Sequence, residues 1–367
     1  MQAYHVKLES KVFDTYRCQR AADSLDIDVK KKSVHELKIE CDIDSPFSIG
    51  LIVGASGSGK TTLAKQIFGP DCFKTIIDDE ASIIDQLPKE LSYDDCANIL
   101  SGIGLTSVPC WIRPIKTLSN GQRARCEAAL LMTKSDDVVI IDEWTSVVDR
   151  TVAKVMSHCV QKFARKRNKK IILLSCHYDV VDWLNPDWII DCNRSEFIDR
   201  RLLQPAEREK KETLRFDIAE CDSKSWKYFS KYHYLTNRLP GGKIHTFGIY
   251  HNGEQIGFQC FANYVPTRKG MQPIFHSNRT VIHPDYAGLG LGIRVINESS
   301  KYMRHHYGYK IMAKFSSTPI YKAMSKQTEW RLIEIKTQIG KMNVGDNMMR
   351  KDGFRENVKT YSFEFVG

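Results

Sequence analysis

Two short glycine-rich stretches carry the spacing that chemistry needs. The first, "GASGSGKT" (54–61), satisfies the pattern G-x-x-x-x-G-K-[ST] at every position. The apolar run "FSIGLIVG" (47–54) leads into it and the helix-like "KTTLAKQIF" (60–68) leads out. Strand, loop and helix therefore follow in the order a phosphate cradle requires. Gly54, Gly57 and Gly59, with Ser56 among them, let backbone N–H groups turn inward, and the helix N-terminus adds a positive dipole end. Lys60 is placed to reach the β- and γ-phosphates of a nucleoside triphosphate, and Thr61, with Thr62 beside it, to ligate Mg²⁺. Asp142 ends the apolar strand "DDVVIID" (136–142) and is expected on the same ion. The second stretch, "HPDYAGLGLG" (283–292), lies between the β-rich "RTVIHP" and the helix-periodic "IRVINESSKYM". It reads as another anion-binding turn. A dinucleotide-binding fold fits it poorly, because no βαβ unit with a ribose-binding acid follows.

The surrounding elements differ between the two loops. Around the first, "DDVVIID" and "KIILLSC" (170–176) are short, wholly apolar strands separated by helical stretches. That pattern implies a parallel sheet covered on both faces. The charged stretch "DRRLLQPAEREKKETLR" (199–215) has little periodicity and reads as a linker or solvated helix. The expected layout is a domain over 1–205, a linker over 206–214 and a second domain over 215–367.

Composition narrows the classes. The 367 residues are 42% hydrophobic, enough for real cores, and hold no run of 18 apolar residues. The N-terminus lacks the apolar segment of a secretory signal, so a cytoplasmic location without membrane spans is expected. Eleven cysteines form no CxxC pair and read as free thiols. His305 and His306 have no cysteine at a ligand spacing and read as surface residues. The net charge of +10 is uneven: residues 211–367 hold 24 Lys and Arg against 13 Asp and Glu. A polyanionic partner is therefore expected at the C-terminal part. Aromatics interleave with these cations in "SWKYFSKYHYL" and "SKYMRHHYGYK", the composition that stacks bases and holds phosphates, DNA ahead of RNA.

Residues 1–200 resemble the ABC-type ATPases. "LSNGQ" (118–122) is similar to their LSGGQ signature, with Asn120 in place of a glycine; Ser119, Gly121 and Gln122 match. "VVIIDEW" (138–144) resembles their Walker B strand, "SVVD" (146–149) their D-loop, and His177 their switch histidine. The resemblance implies an ATP-dependent homodimer with ATP between the phosphate loop of one copy and the signature of the other. It implies Glu143 as general base, His177 at the γ-phosphate, Asp149 in the ATP site and Gln86 as a Q-loop ligand of Mg²⁺. The segment between the loop and the signature is short for a transporter subunit. Phe13 and Tyr16 are candidates to stack on adenine.

Residues 215–367 resemble the GNAT acyltransferases, whose motif A runs strand, (R/Q)-x-x-G-x-(G/A), helix. Here Val281 and Ile282 end the strand, Gly288, Gly290 and Gly292 supply the loop, and Ile293 opens the helix. Ala287 stands where Arg or Gln is expected. The resemblance implies acetyl-CoA or another acyl-CoA on this loop and Tyr321, in "STPIYKAM", as the acid for the leaving thiolate. The implied fold class is α/β, a P-loop ABC-type ATPase domain followed by a GNAT-like α+β domain. Residues 229–265 further resemble the phage Mom DNA-modification proteins, through Tyr232, His233, Tyr234, Pro240 and Gly257. That likeness implies acyl transfer to an adenine amine, with His233 and Tyr234 as catalytic candidates. An RNA base, a small molecule or protein as acceptor, and a non-catalytic nucleic-acid switch remain as alternatives.

Overall fold

The computed structural model describes residues 2–9, 13, 15–24, 34–73, 77–133, 138–203, 214–233, 237–263, 270–338 and 358–367. The expected linker, apart from 214, and the candidate Tyr234 lie outside them. The chain forms two compact units, Met1–Asp79 with Leu118–Glu212, and Glu80–Thr117 with Thr213–Gly367. The stretch 80–117, counted with residues 1–205 in the sequence reading, thus clusters with the C-terminal unit.

In the first unit, β1 (Gln2–Glu9) and β2 (Val34–Cys41) pair antiparallel. A second sheet contains β3 (Ile49–Val53), β4 (Val138–Ile141), β5 (Lys170–Ser175), β6 (Trp188–Asp191) and β7 (Glu196–Asp199), in the order β4-β5-β3-β6-β7. The first four run parallel and β7 antiparallel. All residues of β3 are buried, which is why its sequence does not alternate. Gly50 sits where a Cβ would fall 2.1 Å from the Trp188 ring, so glycine makes room for a fully buried indole. Because the strands are parallel, the loops after β3, β4 and β5 leave from one edge of the sheet. Arg201, which the sequence reading places in a linker or solvated helix, instead bonds Asp199 (Nη2–Oδ2, 2.8 Å) and the Asp42 carbonyl (2.9 Å).

The second unit is a seven-stranded sheet. It contains β8 (Asp217–Glu220), β9 (Lys243–His251), β10 (Glu254–Asn263), β11 (Ile274–Ile282), β12 (Lys310–Phe315), β13 (Trp330–Gln338) and β14 (Val358–Phe365). Their order is β13-β14-β12-β11-β10-β9-β8, and only β11 and β12 are parallel. Asn252 (φ 50°) and Gly253 (φ 82°) make the tight turn between β9 and β10, where both central residues need left-handed backbone. The parallel pair holds only from Ile274↔Lys310 to Ser277↔Ala313, whereas β11 stays on β10 as far as Ile282. A bulge places Asn278 between Ser277, opposite Phe261, and Arg279, opposite Cys260. Beyond it, the second half of β11 parts from β12. The helix Leu291–Tyr307 buries Leu291, Val295, Ile296, Ser299, Ser300 and Met303, one face at helical spacing. Within the same unit, Lys322 of the helix Thr318–Met324 lies 3.9 Å from Asp94 of the helix Tyr93–Gly102.

Candidate functional site

The phosphate loop leaves β3 at Gly54 and enters the helix Lys60–Phe68 through Gly59, in left-handed backbone at φ 89°. Gly57 (φ 80°) is also left-handed, and an added Cβ there would meet nothing within 4 Å. Its requirement for glycine is therefore conformational rather than steric. Lys60 Nζ donates to the carbonyls of Gly54 (2.7 Å) and Ala55 (2.8 Å), so the ammonium lies inside the loop. Ala55 N–H donates to Asn193 Oδ1 (3.0 Å), which pins the loop from outside. Cys192, under the loop, has its thiol pushed up to about 12 by burial, against the pull of Lys60. It is a packing residue, not a nucleophile.

Thr61 Oγ1 donates to Asp142 Oδ2 (2.9 Å), across 81 residues of sequence. Two hard oxygen donors at this separation fit a shared divalent cation such as Mg²⁺. Glu143 is next along the chain, its own N–H donating to Asp142 Oδ1 (2.8 Å). Glu143 and Thr145 both have positive φ, 49° and 67°, on either side of buried Trp144. For a β-branched threonine that backbone is costly. His177 follows β5, with its N–H on Ser175 Oγ (3.1 Å). Lys60, Thr61, Asp142, Glu143 and His177 thus leave the same sheet edge.

The other nucleotide candidates have local partners. Ser119 N–H donates to Gln122 Oε1 (3.1 Å) and Gln122 N–H to Ser119 Oγ (3.3 Å), a reciprocal cap on the helix that follows. A Cβ on Gly121 would meet Val152 at 3.0 Å. Asp149 caps the helix Arg150–Arg167 through Val152 N–H (3.0 Å). Phe13 and Tyr16 are 68% and 74% exposed. Gln86 belongs to the other unit, where its amide donates to the Ser82 carbonyl (3.2 Å).

In the second unit Gly288 (φ 89°) and Gly290 (φ 78°) give the glycine loop its left-handed turns. Gly290 starts the 17-residue helix Leu291–Tyr307 without a side-chain cap. Thr280, on the half of β11 beyond the bulge, has its methyl 3.9 Å from a Cβ built on Gly292 in the first turn of that helix. An anionic pyrophosphate at the helix start and an extended chain along β11 fit these residues. Ala287 is buried and supplies no cation. Tyr321 stacks on Tyr361 (4.1 Å, 17° between ring planes), and His233 meets the Trp226 ring edge-on (5.6 Å).

His283 belongs to no sequence motif that marks it for a role. Its Nε2 lies 2.9 Å from Tyr232 Oη, and its Nδ1 lies 3.4 Å from Asp285 Oδ2. The segment 226–233 is thereby tied to the root of the glycine loop. A histidine closing a strand before a glycine loop was visible in the sequence, but its tyrosine partner, 51 residues away, was not. Burial lowers the His245 pKa, with Lys243 adding to the effect, and burial followed by Lys314 lowers that of His276. No cluster of three or more metal-ligating side chains occurs among the described residues, and none of their helices is long and apolar enough to cross a membrane.

No family model matches the chain. The ribosome protection protein VmlR of Bacillus subtilis (strain 168) is 24% identical over 188 residues, 46% of this chain and 33% of that protein. The chain therefore spans a third or less of the curated relatives it matches. Among solved structures, a dimeric ATP-binding cassette in a post-hydrolysis state with ADP and Pi is 13% identical. It covers 55% of this chain and 99% of its own, with a TM-score of 0.37. A GNAT family acetyltransferase from Elizabethkingia anophelis with acetyl-CoA bound is 10% identical. It covers 41% of this chain and 98% of its own, with a TM-score of 0.28.

Proposed function

We propose that the chain couples ATP hydrolysis in its first unit to transfer of an acyl group from acyl-CoA in its second, with an exocyclic amine of a nucleic-acid base as acceptor. The observation that carries the first half is the convergence of Lys60, Thr61, Asp142, Glu143 and His177 at one sheet edge. Lys60 and the loop N–H groups would hold the phosphates, and Thr61 and Asp142 the metal. Glu143 would take the proton of the attacking water, with His177 at the γ-phosphate. A homodimer would bring Ser119, Gly121, Gln122 and Asp149 of one copy to the loop of the other.

The second half rests on the opening between β11 and β12 together with the glycine loop. Gly288, Gly290 and Gly292 would seat the pyrophosphate of acyl-CoA, with Val281, Ile282 and Ile293 along its pantetheine arm. Tyr321 is the proposed acid for the leaving thiolate, and His233 with Tyr234 the acceptor-side pair. The positive charge of residues 211–367 and the exposed Tyr228 between Lys227 and Lys231 support a nucleic-acid acceptor. DNA adenine, as in Mom-like modification, is the first reading. A ribosomal or transfer RNA is the second, favoured by the likeness to a ribosome protection protein.

The test is expression of the chain and of its Lys60→Ala and Gly290→Asp variants in a bacterium. Nucleosides from total DNA and total RNA are then compared by mass. A heavier nucleoside lost in both variants is expected, and its pool identifies the acceptor. No new nucleoside from a chain that binds acyl-CoA would sink the nucleic-acid reading.

A further inference from the structure

We infer that Ser175 is a positioning residue that ties the carboxylate loop, the phosphate loop and the switch histidine into one unit. The inference rests on the ATPase reading above. Ser175 closes β5 with no exposed surface. Its hydroxyl donates to the Trp144 carbonyl (3.2 Å) and accepts from His177 N–H (3.1 Å), a pair of bonds that one serine oxygen makes at once. Its carbonyl accepts from Gly54 N–H (3.3 Å), the first residue of the phosphate loop. One residue thus touches all three segments that supply Lys60, Glu143 and His177.

Trp144 is the element that Ser175 holds. Its N–H donates to the Leu174 carbonyl (2.7 Å) and its indole Nε1–H to Ser157 Oγ (2.9 Å) in the helix Arg150–Arg167. Ser157 is itself fully buried. Residues on both sides of Trp144 stand in left-handed backbone. Such conformations are costly and persist only where surrounding contacts over-determine them. The Trp144 anchor, fixed at its N–H, its carbonyl and its indole, is that over-determination. It fixes where the Glu143 carboxylate stands relative to the phosphates. Loss of the Ser175 hydroxyl frees the Trp144 carbonyl and the His177 N–H together while leaving every phosphate-binding group in place.

The experiment uses the full chain. Affinity for a fluorescent ATP analogue and turnover by phosphate release are measured for wild type, Ser175→Ala, Ser175→Cys and Ser157→Ala. Ser175→Ala is expected to bind nucleotide within about twofold of wild type while kcat falls about 10- to 100-fold, the scale of a misplaced catalytic group. Ser175→Cys, which keeps a weak donor, recovers part of the loss. Ser157→Ala reproduces the same kcat-specific signature more weakly, and carries the test if Ser175→Ala does not fold. Turnover within twofold of wild type in both alanine variants, or equal loss of affinity and turnover, overturns the inference while the ATPase reading stands. A wild-type chain that neither binds nor hydrolyses ATP overturns both.

Discussion

The two glycine loops look alike in sequence, and each ends in left-handed glycine at the start of a helix, yet the sites around them are assembled differently. Around Gly54–Thr61 the loop supplies its own cation, since Lys60 lies within it, and its partners leave from adjacent parallel strands. Around Gly288–Gly292 no basic side chain stands in the loop, and Ala287 occupies the position where the family resemblance implies Arg or Gln. There the proposed site rests on a parting of strands, and Tyr232 of a distant segment is held on His283 at the loop's root. A contiguous motif carries its electrostatics with it, whereas a site made by sheet geometry borrows them from elsewhere.

The sharpest way to break this comparison is Lys60→Ala. ATP turnover should fall by at least about 100-fold, because the loss is of an interaction made to transferring phosphates, while acyl-CoA affinity stays unchanged. Isothermal titration with acyl-CoA beside a phosphate-release assay checks both halves. Equal damage to the two activities would mean that the loops are not separate sites.

A smaller effect is expected from Gly290→Val. A β-branched residue disfavours the left-handed backbone at φ 78° by about 1–3 kcal/mol, so a free loop that relaxes out of that turn must return to it on binding, and acyl-CoA affinity should drop by up to roughly 5- to 150-fold with ATP turnover intact. Open space around a Cβ at Gly290 makes this a test of backbone conformation alone. Unchanged affinity would remove the helix start from the pyrophosphate site.

Tyr232→Phe should cost about 1 kcal/mol, the worth of one hydrogen bond to His283. A denaturant melt of wild type and variant measures it, and the imidazole ¹⁵N shifts of His283 should change with it. An unaltered His283 signal would show that the link does not form in solution.

The mildest expectation concerns pH. Burial lowers the folded pKa of His245 and His276, so the unfolded chain takes up protons first as pH falls below about 6.5. Their contribution to stability is therefore full above that value and is lost as pH drops through the folded values. Melting temperature should decline on acidification below pH 6.5, and the slope should flatten in His245→Phe, a replacement its aromatic neighbours Phe275, Tyr307 and Tyr309 can accept. An unchanged slope would count against a half-buried neutral His245.

The sequence by itself determined the elements that short-range chemistry dictates. Spacing alone located the phosphate loop, its strand and its helix, and the wholly apolar runs became buried parallel strands because no face of them meets water. The strand, glycine loop and helix around 274–307 were equally legible, since glycine at left-handed positions and apolar periodicity are local signals. Tertiary structure decided what depends on distant partners. It set Tyr232 on His283, parted β12 from β11 after Ser277, and gave Ser175 its three contacts. It also put the stretch 80–117 with the C-terminal unit. None of these has a period or a motif, because a hydrogen bond across 51 residues is selected by the packing of whole elements rather than by the residues beside it.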